Sequence, residues 1–484
     1  DESTERRQGD LREAYAALAE SWPSGAGLRT KVKHFSVLPP DGAGVVLTRT
    51  EFRAYAKGEG ESVQQQAAWD CRWRLTGGES PPQLLDIGLV GLEEVRAEHG
   101  GRGTSLADVT EPLLGGLPAY RESLRRDADY WITRLPQLKH RFQNGVAIGD
   151  VDGDGVEDVY LCQPEGLPNL LLLRQSDGTV REAAADFGID FKDLTTSALF
   201  ADFDNDGDQD LAAAFRSPFD FFENVDGTFV RRYGLPHLGQ IFSLSAADYD
   251  ADGLLDLFVC RYQNYDDLGR AKNPIPLHDA QNGGANAMLR NLGSWEFEDV
   301  AESVGLGQNN NRWSIGASWE DYDRDGDLDL YVANDYGRNK LYRCGKDDAG
   351  AVVFEDVAPG TGVEDMTTSM GVIWCDAKRY GAPDVYVSNM YSSAGRRITY
   401  QKNFKRNIAG SDEAHVEAWR RASLGNSLFQ GGSDGRFTDV SAFAGVRNGQ
   451  WSWGAAFADL NHDGWDDLLV ANGFITGPSD APEL

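Results

Sequence analysis

No apolar run in the 484 residues approaches the roughly 18 needed for a membrane-spanning helix, so the sequence offers no helical membrane insertion. Cysteine is scarce, at positions 71, 162, 260, 344 and 375, and no CxxC occurs. Zinc sites and thioredoxin-type redox chemistry are therefore not expected, and an odd, sparse set makes no disulfide scaffold. Cys344 and Cys375 fall in neighbouring repeats, and spacing alone leaves their pairing open. The seven histidines (34, 99, 140, 237, 278, 415, 462) form no spaced cluster, and HExxH and P-loop motifs are missing. Basic residues are outnumbered 46 to 77, for a formal charge of −31. That argues against nucleic acid or anionic lipid as a partner. The chain starts at Asp1 without Met or a visible signal peptide and reads as processed.

What is present is patterned. Hydrophobic content is an ordinary 41%, so the chain is globular, and 55 glycines favour tight turns and short strands. The acidic surplus is concentrated in a repeat. In DYDRDGDLDLYVAND (321–335), aspartates stand at every second position from 321 to 329, with glycine at 326. The pattern recurs as DVDGDGVEDVYLCQ (150–163), DFDNDGDQDLAAAF (202–215), DYDADGLLDLFVCR (248–261), DAKRYGAPDVYVSN (376–389) and DLNHDGWDDLLVAN (459–472). A small/apolar stretch precedes each copy (GVAIG, SALFA, SLSAA, GASWE, GVIWC, GAAFA) and a second apolar stretch follows, giving strand, acidic loop, strand. Between copies recur NLLLLRQ, NAMLRNLG and NKLYRCG, then segments such as EFEDVAESVGL and RFTDVSAFAGV. Each unit thus reads as four short strands over roughly 45–55 residues, the period of β-propeller blades.

The expected fold is mainly β: a calcium-binding β-propeller of six recognisable blades, with room for a seventh lacking the acidic loop, behind a small N-terminal α+β domain. The boundaries are 1–102, a connector at 103–144, and the propeller at 145–484. The last repeat has only two strands, and SLADVT (105–110) resembles the outer-strand motif, so it is expected to close the ring.

Crowded carboxylates repel unless a cation neutralises them. Oxygens at loop positions 1, 3, 5 and 9, a backbone carbonyl at 7 and a turn-permitting glycine at 6 suit calcium, which takes six to eight oxygens in flexible geometry. The expected ligands are Asp150, Asp152, Asp154, Val156 and Asp158; Asp202, Asp204, Asp206, Asp208 and Asp210; Asp248, Asp250, Asp252, Leu254 and Asp256; Asp321, Asp323, Asp325, Asp327 and Asp329; and Asp459, Asn461, Asp463, Trp465 and Asp467. An EF-hand is excluded because its position 12 requires Glu, whereas Leu161 and Val332 stand there inside apolar strands. The fifth copy carries Lys378 and Tyr380 at positions 3 and 5. No calcium is expected there, the lysine standing in for it by pairing with Asp376 and Asp384. Five filled loops would change the charge of −31 by +10, to −21.

These units resemble FG-GAP/VCBS repeats, as in secreted bacterial VCBS-repeat proteins, the cartilage acidic protein group and integrin α-subunit heads. The resemblance covers about residues 103–475 and rests on the DxDxDGxxDLYVAN units, the FxDVxxxxGL segments and the NxLY spacing. It implies a calcium-stabilised propeller in an extracellular or periplasmic protein. Such propellers serve adhesion and ligand binding, and some related ones carry lyase or dehydratase activity.

The N-terminal part reads as one helix (8–22, Asp10 as cap) followed by an antiparallel meander, faintly similar to cystatin-like or nuclear-transport-factor-like folds. Two inserts, 263–285 and 391–425, follow second strands and are expected on the face opposite the acidic loops, and EAHVEAWRRASL in the second reads as a short helix. The ligand-binding candidates on that face are Arg261, Tyr262, Arg312, Trp313, Asp335, Tyr336, Tyr391, Arg397 and Trp451, with Asn334, Asn389, Arg396, Trp453 and Phe474 beside them. Aromatics with Arg and Asn suit a protein or glycan ligand. The small residues Cys162, Ala214, Cys260, Ala333, Ser388 and Ala471 read as crowding near the central axis. The favoured function is a binding or adhesion module. The alternative is a carbohydrate-active lyase or hydratase built from the inserts, with His237 or His278 assisting, which rests on fold analogy.

Overall fold

The computed structural model describes Trp22 and residues 27–58, 61–76, 80–98, 108–124, 145–215, 218–235, 239–263, 272–276, 279–399, 401, 404 and 413–473. The described residues are mainly strand and fall into two compact units: 1–108 with 392–420, and 109–391 with 421–484.

In the first unit, β1 (Arg29–Val37), β2 (Val45–Lys57), β3 (Glu61–Arg74) and β4 (Gln83–Glu98) form an antiparallel meander in chain order. Buried and exposed residues alternate along β2, as a sheet with one covered face requires. Phe52 stacks on Trp69 at 4.7 Å on that face. The strand segments read from the sequence are present, while the helix expected at 8–22 lies outside the described residues apart from Trp22. The second insert belongs to this unit: its helix Ser393–Thr399 packs on β1, and Arg396 pairs with Glu51. The helix expected near 413–424 spans Glu413–Arg421.

The second unit contains six sheets built from the repeats. Sheet I comprises Val146–Gly149, Asp158–Leu161, Leu170–Arg174 and Val180–Glu182. Sheet II comprises Thr195–Ala201, Asp210–Phe215, Phe219–Val225 and Thr228–Leu235. Sheet III comprises Ile241–Ala247, Asp256–Arg261, Ala287–Asn291 and Phe297–Asp299. Sheet IV comprises Trp313–Glu320, Asp329–Asp335, Lys340–Lys346 and Val352–Asp356. Sheet V comprises Ser369–Cys375, Asp384–Asn389, Ser427–Gly431 and Phe437–Asp439. Sheet VI has two strands, Ser452–Ala458 and Asp467–Asn472. All pair antiparallel in chain order.

The apolar residues form separate cores between consecutive sheets rather than one centre. Leu171 and Tyr160 of sheet I meet Phe200 and Phe222 of sheet II; Phe221 of sheet II stacks on Phe297 of sheet III at 4.1 Å; Trp374 of sheet V packs on Tyr331 of sheet IV. The first strands lie beside one another in order from sheet I to sheet VI. Their approach is closest at glycines: a Cβ on Gly371 would sit 3.0 Å from the Trp453 carbonyl oxygen and 3.5 Å from Gly454 Cα. In sheets III to VI the pairing of the first and second strands breaks register near this point, a bulge that bends the strand.

Two expectations change. Crowding between first strands falls on their own glycines and serines, because the second strands lie one place further out. Ala214, Cys260, Ala333 and Ser388 are instead buried on the second strands and Cys162 just past one, three of the five within inter-sheet cores, while Ala471 of sheet VI is exposed. In the connector, Thr110 begins a short helix (Thr110–Leu114), so the end of SLADVT is not strand, and residues 105–107 lie outside the described residues. The described cysteines are all free, so Cys344 and Cys375 are unpaired.

Candidate metal centres

All six acidic loops share one backbone path, set by left-handed residues at positions 4 and 6. Position 4 is Gly153, Asn205, Ala251, Arg324, Arg379 or His462 at φ between 55° and 73°, and position 6 is glycine throughout, at φ 70–99°. A side chain at position 6 would be strained in that region, which is why glycine recurs. The first aspartate fixes the curl by accepting two amides. Asp150 takes Asp154 N at 3.0 Å and Gly155 N at 2.9 Å, and Asp248, Asp321, Asp376 and Asp459 do the same. Position 5 accepts the amide of position 7, as in Asp154 to Val156 (2.8 Å), Asp252 to Leu254 (3.0 Å) and Asp463 to Trp465 (2.8 Å).

This curl brings carboxylates together. One oxygen from each of Asp150, Asp152 and Asp158 lies within 4.8 Å of the others, and the same holds for Asp202/Asp204/Asp206, Asp248/Asp250/Asp256 and Asp321/Asp323/Asp325. The remaining predicted side-chain ligands of these loops, Asp154, Asp208, Asp210, Asp252, Asp327 and Asp329, stand outside the triplets. In the sixth loop, Asp463 N points at both Asp459 Oδ1 (3.0 Å) and Asn461 Oδ1 (2.8 Å). Oxygen-only donors in these numbers fit a hard divalent cation. The Oδ1 atoms of Asp202, Asp204, Asp208, Asp250 and Asp323 are buried without a hydrogen-bond partner, which fits oxygens suited to a cation. Burial, reinforced by neighbouring carboxylates, pushes Asp208 up to about 6 and raises Asp204, Asp250 and Asp323.

Position 9 does a second job that the spacing did not reveal. Asp158 Oδ2 accepts Val151 N (3.2 Å) and its Oδ1 accepts Arg174 N (2.9 Å), stapling the loop to the third strand. Asp210, Asp256 and Asp329 repeat this, and burial carries each of them up to about 7 against those amide bonds. Asp384 repeats it in the fifth loop, which explains an aspartate retained where positions 3 and 5 are Lys and Tyr. Lys378 does not pair with Asp376 and Asp384 as expected: its ammonium reaches Gln430 Oε1 at 3.3 Å and lies over the Tyr380 and Phe443 rings.

A further set missed as functional is the asparagine just before the third strand in sheets I, III, IV and V. Asn169, Asn286, Asn339 and Asn426 each accept an amide at the end of the second strand or just past it (2.7–2.9 Å). The amides of Asn169, Asn286 and Asn339 also donate to Thr195, Ser314 and Ser369, on the first strand of the next sheet. The recurring N-x-L, with Met288 in place of Leu after Asn286, was the available signal.

Of the ligand-face candidates, Arg312, Trp313 and Asp335 are buried. Arg312 pairs with Asp279 at 2.5 Å, and Trp313 packs edge-on to Tyr262 (4.9 Å) and Tyr336 (6.0 Å). Tyr262 donates its hydroxyl to Asp335 Oδ2 at 2.8 Å, and burial raises Asp335 to about 7. Arg261 is half-buried and its amide bonds Asn286. Tyr391 is held by Gln450, and Trp451, 38% exposed, stacks on Trp453 at 6.3 Å. Arg397 belongs to the other unit. His237, His278 and Phe474 lie outside the described residues.

Residues 150–213, 202–259 and 418–470 match the FG-GAP-like repeat model, the first two running from one acidic loop into the second strand of the next sheet. Curated proteins gave no match. Among solved structures, the chain is similar to the V. cholerae biofilm matrix protein Bap1 at 14% identity and a TM-score of 0.31, over 54% of this chain and 38% of that one. It is also similar to the Chaetomium thermophilum polycomb repressive complex 2 at 9% identity and a TM-score of 0.29, over 81% of this chain and 68% of that one. The chain thus carries three segments that match the FG-GAP-like repeat, at 150–213, 202–259 and 418–470.

Proposed function

We propose that the repeats form a calcium-stabilised β-propeller that acts outside the cytoplasm as a binding or adhesion module for a protein or glycan ligand. The observation that carries this reading is the clustering of carboxylate oxygens within 4.8 Å in four loops of one path, several with buried oxygens lacking a partner. Calcium ions held by the first, second, third, fourth and sixth loops would neutralise them. Six sheets in sequence with their first strands side by side support reading them as blades of a ring. Sites of modest affinity fill at extracellular calcium concentrations and stay empty in the cytosol, which supports an extracellular or periplasmic location. The ligand is placed at the loop ends around Tyr391 and Trp451, where aromatic surface is exposed.

The reading is tested by screening the purified protein against glycan and extracellular-protein arrays in calcium and in chelator. Binding in calcium that falls with Trp451→Ala is expected. Binding that is unchanged by both chelator and the substitution contradicts the proposal.

A further inference from the structure

One position on the third strand of each complete repeat comes just before the residue whose amide the position 9 aspartate accepts. It is Leu173, Glu223, Arg290, Arg343 and Gln430 in sheets I to V. In sheets III and V its partner is loop position 3. Arg290 places a guanidinium nitrogen 2.7 Å from Asp250 and 3.2 Å from Asp252. It does so although Glu298 faces it across the strand pair. Arg343 instead pairs with its own cross-strand Glu355 at 3.1 Å, and only its field reaches Asp323. Gln430 takes the ammonium of Lys378, the position 3 residue of the fifth loop. Glu223 lies near Asp204 and Asp208, but its charge is paired with Arg232 on the fourth strand. Leu173 adds no charge.

We propose that this third-strand residue sets the cation affinity of each loop, and that Arg290 is a built-in counter-cation which calcium must displace from the third loop. The inference rests on the calcium reading above and adds an order of filling. A guanidinium touching two ligands competes directly with the ion, since a divalent cation cannot share that space with a fixed positive charge. The first and second loops, which no third-strand arginine touches, fill before the third. The third loop thus senses calcium in a higher concentration range than its neighbours, and its two states differ by the position of one arginine.

The test is calorimetric titration of calcium into the chelator-stripped full chain, for the wild type, Arg290→Leu (the residue of sheet I) and Arg290→Gln (the residue of sheet V), with far-UV circular dichroism as the check on folding. In both variants one equivalent is expected to move from the weakest class to about tenfold tighter binding, a change of about 1.4 kcal/mol. Asp248→Asn should remove that same equivalent in either background. Using two replacements keeps the test sound if leucine disturbs the fold. Unchanged affinities in a wild type that binds calcium overturn the role of Arg290 and leave the calcium reading intact. A wild type and variants that bind no calcium overturn both.

Discussion

Replacing Asp329 with Ala and Asp325 with Asn separates the two tasks that the carboxylates of one loop perform. Asp329 is fully buried and accepts Tyr322 N (3.1 Å) and Cys344 N (2.8 Å). Its removal strands two amides, at about 1–3 kcal/mol each. The loss is partly offset because a buried acid already raised to about 7 is removed with it, leaving about 2–4 kcal/mol net. This loss is expected in chelator as well as in calcium. Asp325 is exposed and accepts only Asp327 N (3.1 Å), a bond that asparagine keeps. Asp325→Asn should therefore change the metal-free protein by less than about 0.5 kcal/mol. In saturating calcium it should cost about 1.4 kcal/mol for each tenfold loss of affinity. Asp384→Ala in the fifth loop is the control: it strands Ala377 N and Gly431 N and should cost about as much as Asp329→Ala, with no dependence on calcium. The assay is urea unfolding followed by circular dichroism in both buffers. Equal losses for Asp325→Asn and Asp329→Ala in chelator, or a silent Asp384→Ala, would refute the division.

Asp335 should make stability depend on pH. Burial raises its folded pKa from 3.8 to about 7, so its favourable contribution is complete below pH 3.8 and is lost as pH rises through about 7. Relative to Asp335→Asn, the wild type should lose on the order of a few kcal/mol between pH 5 and 8, read as a difference in urea midpoints; parallel profiles would contradict this. Asn339→Leu should cost about 1–3 kcal/mol, because Asn334 N loses its buried acceptor and the link to Ser369 breaks; an unchanged urea midpoint would contradict the tie between sheets IV and V.

The repeat was legible because its physics is local. Alternating aspartates with glycine at position 6 require a particular curl whatever surrounds them, and the apolar stretches on either side have strand length. The dual role of Asp158 and its equivalents was not legible, because the amide each accepts, such as Arg174 N, lies on a strand whose register the loop does not determine. Lys378 was misread for a similar reason: Gln430 is 52 residues away in sequence, and only the pairing of second and third strands brings it over the loop. The same blindness applied to Arg312 and Trp313, whose composition suited a ligand face but whose burial depends on Asp279 and Asn282 in the first insert. Insert 391–425 was assigned by its position after a second strand, whereas its helix at Ser393–Thr399 packs on the N-terminal sheet.

The most direct measurement is the metal content of the purified protein together with its melting temperature before and after chelation. Calcium in about five equivalents, a marked fall in melting temperature on chelation and recovery on adding calcium back are predicted. A protein free of divalent metal that melts identically in all three conditions would contradict the account.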